Sequence, residues 1–209
     1  AWIAMITGLI VLLAFDVWNV HGQSKTGRIS LPMIFVLIAL FFLIVGDFSI
    51  PGAPVSQAEV SPSFRGELAI LKDIVSESPL KALIGSGPGT FVFDYAKFRS
   101  PDLNQTIFWN TRFSSGKSEF FDWLITKGTA GLFGLLAIIG IAVMLAIKKV
   151  VEVKDDGSRP MIIGLVASFA AGIVSLALYP ANFALWFAFW VLIGSLGFLI
   201  AKETRARSL

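Results

Sequence analysis

Arg65, Arg112, Lys117, Glu119 and Asp122 are the side chains of this sequence whose types and spacing suit chemistry on an anionic substrate. Arginine presents a planar fork that pairs bidentately with phosphate oxygens and keeps its proton. Lys117 adds a point charge close by. Glu119 is the carboxylate inside the run from Phe108 to Phe121, which makes it the first candidate for a general base. Asp122 follows at i+3, one helical turn on, and is the lesser candidate for that task. A plainer assignment also fits Arg112, Lys117 and Glu119, namely an interfacial anchor whose basic side chains reach lipid phosphates.

Beside these residues stands Gly85-Ser86-Gly87-Pro88-Gly89-Thr90-Phe91. It lacks the Lys-Ser/Thr pair of a phosphate-binding loop and no strand-helix unit surrounds it, so it reads as a turn in which Gly85, Gly87 and Gly89 permit close backbone approach. Metal chemistry is not expected. There is no cysteine, His21 is the only histidine, and the loop acids Glu59, Glu67, Asp73, Glu77, Asp94 and Asp102 lack ligand spacing. No cofactor is called for.

The elements that must position these groups are written in the hydropathy. Of 209 residues, 56% are hydrophobic and only 15% charged, against roughly a quarter charged in an ordinary soluble domain. The charges cluster between long apolar runs, which points to an all-α membrane protein. Five runs have the length a hydrocarbon core requires, roughly 17 to 25 residues: Trp2 to Val20, Leu31 to Ile50, Phe120 to Ile147, Met161 to Tyr179 and Phe183 to Ala201. The last two are separated by Tyr179-Pro180-Ala181-Asn182, a turn-forming set that predicts a tight helical hairpin. The expected organisation is two transmembrane helices in residues 1–50, an outer loop in 51–119, three transmembrane helices in 120–201 and a cytoplasmic tail in 202–209.

Nine of the seventeen Lys and Arg residues fall in the first connection, the connection after the third span and the tail. Such short basic segments mark the cytoplasmic side, which turns the long loop outward. They also account for the net charge of +3 without nucleic acid as a partner. This drawing starts the chain outside with no outer flank, so further transmembrane helices are expected upstream. Within the loop, Ser61-Pro62 predicts a helix start, and Phe64, Leu68, Leu71 and Val75 predict its apolar face, with Pro79 ending it. Gly128, Gly131 and Gly134, spaced three apart, predict a small face for close packing on the third span.

The loop resembles the O-antigen ligase and polymerase superfamily of membrane glycosyltransferases. Four features carry the likeness: Ser63-Phe64-Arg65 opening an outer helix, Pro79-Leu80 leading to the Gly85–Phe91 turn, Lys117-Ser118 followed after nine residues by Gly128-Thr129-Ala130-Gly131, and the order of two spans, long loop and three spans. The family has a functional histidine at the position of Lys117, so that role does not carry over, whereas Ser118 matches the small polar residue that follows.

The resemblance implies a bacterial inner-membrane, multi-pass protein with a periplasmic loop. Its donor would be a polyprenyl-diphosphate-linked glycan and its acceptor a lipid or glycan hydroxyl, with membrane lipids around it and no metal. On this basis Arg65, Arg112 and Lys117 are expected to hold the diphosphate at one outer cavity, and Glu119 and Lys117 to be catalytic. Two other functions fit the same residues: a non-catalytic relative that binds lipid-linked glycan, and a polysaccharide transporter or flippase subunit. The second is disfavoured by the absence of a mid-span charge, since Asp16 and Asp47 lie near span ends.

Overall fold

The computed structural model describes residues 2–20, 31–45, 61–101, 105, 109–152 and 159–207, with side chains for residues 3–15, 33–45, 61–101, 105, 109–151 and 160–199. Among the described residues the regular structure is helical throughout: α1 (Trp2–Val20), α2 (Leu31–Val45), α3 (Phe64–Glu77), α4 (Pro79–Ile84), α5 (Phe91–Phe98), α6 (Glu119–Glu152), α7 (Arg159–Leu178) and α8 (Phe183–Arg207). The connections carrying Lys25, Arg28 and Lys154, the loop start with Glu59, and Asp102 lie outside the described residues.

Helices occupy all five apolar runs as far as these are described. Two are long and apolar enough to cross a membrane, Glu119–Val151 within α6 and Pro160–Leu178 within α7. The apolar parts of the other three are shorter among the described residues: Ile3–Phe15, Met33–Val45 and Phe183–Leu199.

The chain divides into two compact units. One comprises Ala1–Ser56, Gly140–Ser175 and Phe183–Leu209, and the other Gln57–Ile139 and Leu176–Asn182. The first has an aliphatic cluster of Val150, Ile162 and Ile163, with small and aromatic residues at other helix contacts. Gly8 lies against the Ala167 carbonyl and the Ala171 methyl, so close that a Cβ there would sit 3.1 Å from each. This is the small-residue contact by which apolar helices approach closely. Phe169 and Phe189 stack at 5.3 Å, with Gly172 beside the Phe189 ring.

The second unit has its own core of Ile70, Ile74, Phe91, Tyr95 and Ile125, with Leu71, Phe98 and Phe113 packed against it. It starts from α3, whose cap is Ser63 rather than Ser61-Pro62: the Ser63 hydroxyl accepts the Gly66 N–H at 3.1 Å, the bond a helix start requires. Helix α3 also turns a different face inward from the one expected. Glu67, Ile70 and Ile74 are buried, while Phe64, Leu68 and Val75 are exposed and only Leu71 is shared. Two apolar stripes run along this helix, and periodicity does not say which one meets protein. Ser78 breaks the chain, and Pro79 opens α4 at its first turn, where a missing N–H costs nothing.

The three-apart glycines of α6 do not form a small helical face. Gly128 has φ 66° and ψ −172°, which kinks the helix there. The cause is the Gly85 turn. Gly85 has φ 75°, a conformation that glycine adopts without steric cost. The turn docks by two backbone bonds, Ser86 N–H to Ile125 O at 3.0 Å and Gly87 N–H to Thr126 O at 2.9 Å. The contact is backbone on backbone: a Cβ on Gly85 would collide with Thr126 and Lys127, and one on Gly128 with Gly85 and Leu83.

Candidate functional site

The cations and carboxylates singled out by sequence lie in the second unit, where Glu67 ties the Arg65 turn to Lys117. It stands two residues beyond Arg65, on the inward face of α3 with Ile70 and Ile74. Its side chain is fully buried. Oε1 accepts the Lys117 backbone N–H at 3.1 Å, and Gly116 packs so tightly on the carboxyl that any side chain at 116 would strike it. Oε2 is buried without a partner among the described residues. Burial pushes the Glu67 carboxyl up to about 7, and the carboxylates of Asp122 and Glu119 add to this against the backbone hydrogen bonds from Lys117 and Ser118. A group in that setting is about half protonated at pH 7, which lowers the charge that burial would otherwise penalise.

The Glu67 contact joins two segments that are remote in sequence. The first turn of α3, with Arg65, is held against Gly116-Lys117-Ser118. The Lys117 ammonium donates to the Ser61 hydroxyl at 3.1 Å, just before the same turn. Arg65 is exposed there. Arg65 and Lys117 therefore gather at one end of α3.

Glu119 is buried and engaged at both oxygens. Oε1 accepts the Trp123 indole N–H at 3.0 Å, and Oε2 accepts the Ala181 N–H at 2.9 Å. Its backbone N–H reaches the Tyr179 carbonyl at 3.3 Å. The residue thus clamps the Tyr179–Asn182 turn to the start of α6. Asp122 is half-buried and accepts the Gly116 N–H on Oδ1 at a long 3.4 Å. A third carboxylate, Asp94, receives the hydroxyls of Ser86 and Thr90 and so ties the glycine turn to α5.

Arg112 is elsewhere. It lines a cavity of about 180 Å³ with Tyr95, Ala96, Arg99, Trp109, Asn110 and Thr111, and Arg65 is not among those residues. The single cavity expected to hold both arginines is thus not the one Arg112 lines, where its companion is Arg99.

Compared with family models, characterised proteins and solved structures, the chain matches none. The site is therefore read from its own geometry. No group of three or more His, Cys, Asp or Glu able to hold a metal occurs among the described residues. Sequence reasoning passed over Glu67 because its partner is fifty residues away. The available signal was an acid at 67 in register with Ile70 and Ile74, a charge within an inward apolar stripe. It also passed over Arg99, for which the sequence offers no comparable signal.

Proposed function

We propose that the protein is an integral membrane glycan transferase of the O-antigen ligase and polymerase type, moving a glycan from a polyprenyl diphosphate to an acceptor hydroxyl. The observation that carries this reading is the convergence of three motifs remote from one another in sequence. The Arg65 turn meets Lys117-Ser118 through Glu67, and the Gly85 turn interlocks with Gly128 at the far end of the Lys117–Gly128 element.

In this reading all five apolar helices span the inner membrane and the second unit faces the periplasm. Arg65 and Lys117, together at one end of α3, stabilise the departing diphosphate: the guanidinium as a fork, the ammonium as a point charge. With both Glu119 oxygens occupied, activation of the acceptor hydroxyl passes to Asp122, whose carboxylate is less enclosed. Glu119 then acts as a positioning residue.

Transfer from a polyprenyl-diphosphate-linked glycan, measured in membranes holding the full-length protein, tests the assignment. Arg65→Lys keeps the charge and loses the fork, so it is expected to slow transfer about tenfold or more. Wild-type rates from this variant, or no transfer by the native protein, would sink the proposal. Orientation is read from Lys72→Cys in this cysteine-free chain, which an impermeant thiol reagent should label from the periplasmic side.

A further inference from the structure

The cavity beside Arg112 is built for a ligand with both a face and a charge. One wall is the α5 end, with Tyr95, Ala96 and Arg99, and the other is the Trp109–Arg112 segment. Arg99 fastens the two: its guanidinium donates to the Trp109 carbonyl at 2.7 Å, and its own N–H closes α5 on the Tyr95 carbonyl at 3.0 Å. Tyr95 is held by the core, edge-on to Phe113 at 5.0 Å and stacked with Phe91 at 6.4 Å. The walls are therefore fixed by packing and hydrogen bonds.

Among the described residues the lining carries two guanidiniums, Arg99 and Arg112, and no carboxylate. Arg112 has no acidic partner among the described residues, and it is exposed. Trp109 is 60% exposed, which leaves its indole face accessible. A flat aromatic beside polar donors is the arrangement that stacks on the C–H face of a sugar ring while Asn110, Thr111 and the arginines meet its oxygens. The volume, about 180 Å³, falls below the roughly 300–1,000 Å³ of sites for drug-sized ligands. It suits one ring rather than a chain.

We propose that the Arg99–Trp109–Arg112 cavity binds a single anionic sugar residue, its carboxylate or phosphate held by Arg112 and its ring stacked on Trp109. Binding rests on the cavity alone. That the sugar belongs to the transferred glycan rests on the transferase reading, and would make acidic glycans the preferred substrates.

The experiment measures binding by calorimetry on the full-length protein in nanodiscs of zwitterionic lipid, with glucuronic acid, glucose 1-phosphate, glucose and inorganic phosphate as probes. Glucuronic acid and glucose 1-phosphate should bind saturably, and glucose and inorganic phosphate about tenfold or more weaker, since each lacks one half of the recognition. Arg112→Lys should weaken glucuronic acid about tenfold, and Trp109→Ala about fivefold, with glycan transfer assayed alongside. Equal affinity for glucose would remove the anion from the proposal, and equal affinity for inorganic phosphate would remove the sugar. Absence of binding by every probe, or unchanged affinity in both variants, would overturn it. Loss of glucuronic acid binding in nanodiscs of anionic lipid would hand the cavity to a phospholipid headgroup. Binding that behaves as expected without any transfer would leave the cavity standing and defeat the transferase assignment alone.

Discussion

Among the described residues the two units differ in how far their polar side chains reach, although Thr126 of the second also bonds back one turn, to the Asp122 carbonyl at 2.7 Å. In the first, Thr7, Ser168 and Ser195 each turn the hydroxyl back to a carbonyl one helical turn earlier, at 3.0, 2.8 and 2.8 Å. Ser168 and Ser195 even line the larger cavity, about 600 Å³ between α7 and α8, yet their protons stay on their own helices. In the second, side-chain bonds join distant segments: Glu67 to Lys117, Glu119 to Ala181, and Lys117 to Ser61. Local satisfaction is what a hydrocarbon surrounding demands of each helix separately. Long-range polar ties instead fix one arrangement of several segments, and a half-broken network of that kind is costly. The lesson is that substitutions in the second unit should propagate and those in the first should stay local.

The sharpest way to break that contrast is to fill the glycine interlock. Gly128→Ala places a Cβ against the Gly85 and Leu83 backbone at a positive φ, and is expected to cost about 3 kcal/mol or more. Gly134→Ala, with open space around it, should be neutral or slightly stabilising, because alanine favours helix by about 1 kcal/mol over glycine. Thermal unfolding of the solubilised protein compares them. Equal melting temperatures would mean that the interlock does not hold the unit together.

A smaller effect sharpens the role of Glu67. Its carboxyl titrates near 7 when folded, against 4.5 in its ordinary state. Folding therefore binds a proton between those values, and stability falls as pH rises through them, with the whole penalty present above 7. Glu67→Gln keeps an acceptor for the Lys117 N–H and removes the titration. Between pH 5 and 8 the wild type should lose roughly 2 kcal/mol relative to this variant. Parallel pH profiles for the two proteins would show that Glu67 is not the proton-binding group.

The smallest effect belongs to the first unit. Ser168→Ala deletes a hydroxyl bonded within its own helix, so a change under about 0.5 kcal/mol is expected. A melting shift as large as that of Gly128→Ala would erase the distinction between the units.

How much of this could be read from the sequence follows the same division. Apolar runs declare helices through composition, and α1, α6, α7 and α8 begin within two residues of the runs that foretold them. What composition does not encode is which surface meets which. The Phe64-Leu68-Leu71-Val75 stripe is the more apolar in sequence, since Ile70 and Ile74 share theirs with Glu67, and the inward choice depends on Phe91, Tyr95 and Ile125. The glycines at 128, 131 and 134 show helix-like spacing, but Gly128 answers to Gly85, which lies in another segment. Glu119 was legible as the carboxylate of its motif. That both of its oxygens are engaged depends on Ala181 and Trp123. Arg65, Arg112, Lys117 and Glu119 were visible as types, whereas Glu67, Arg99 and the groupings, Arg65 with Lys117 and Arg112 with Arg99, came from tertiary packing.

The glycine interlock has an evolutionary consequence. Positions 85 and 128 meet without any side chain between them, so neither can gain one while the other backbone stays in place. A drifting lineage cannot sample the two positions independently; they are inherited as one character, lost or kept together. Sequences descended from a common ancestor with this chain should therefore either carry glycine at both positions or show a rebuilt turn and a straightened start to the following helix.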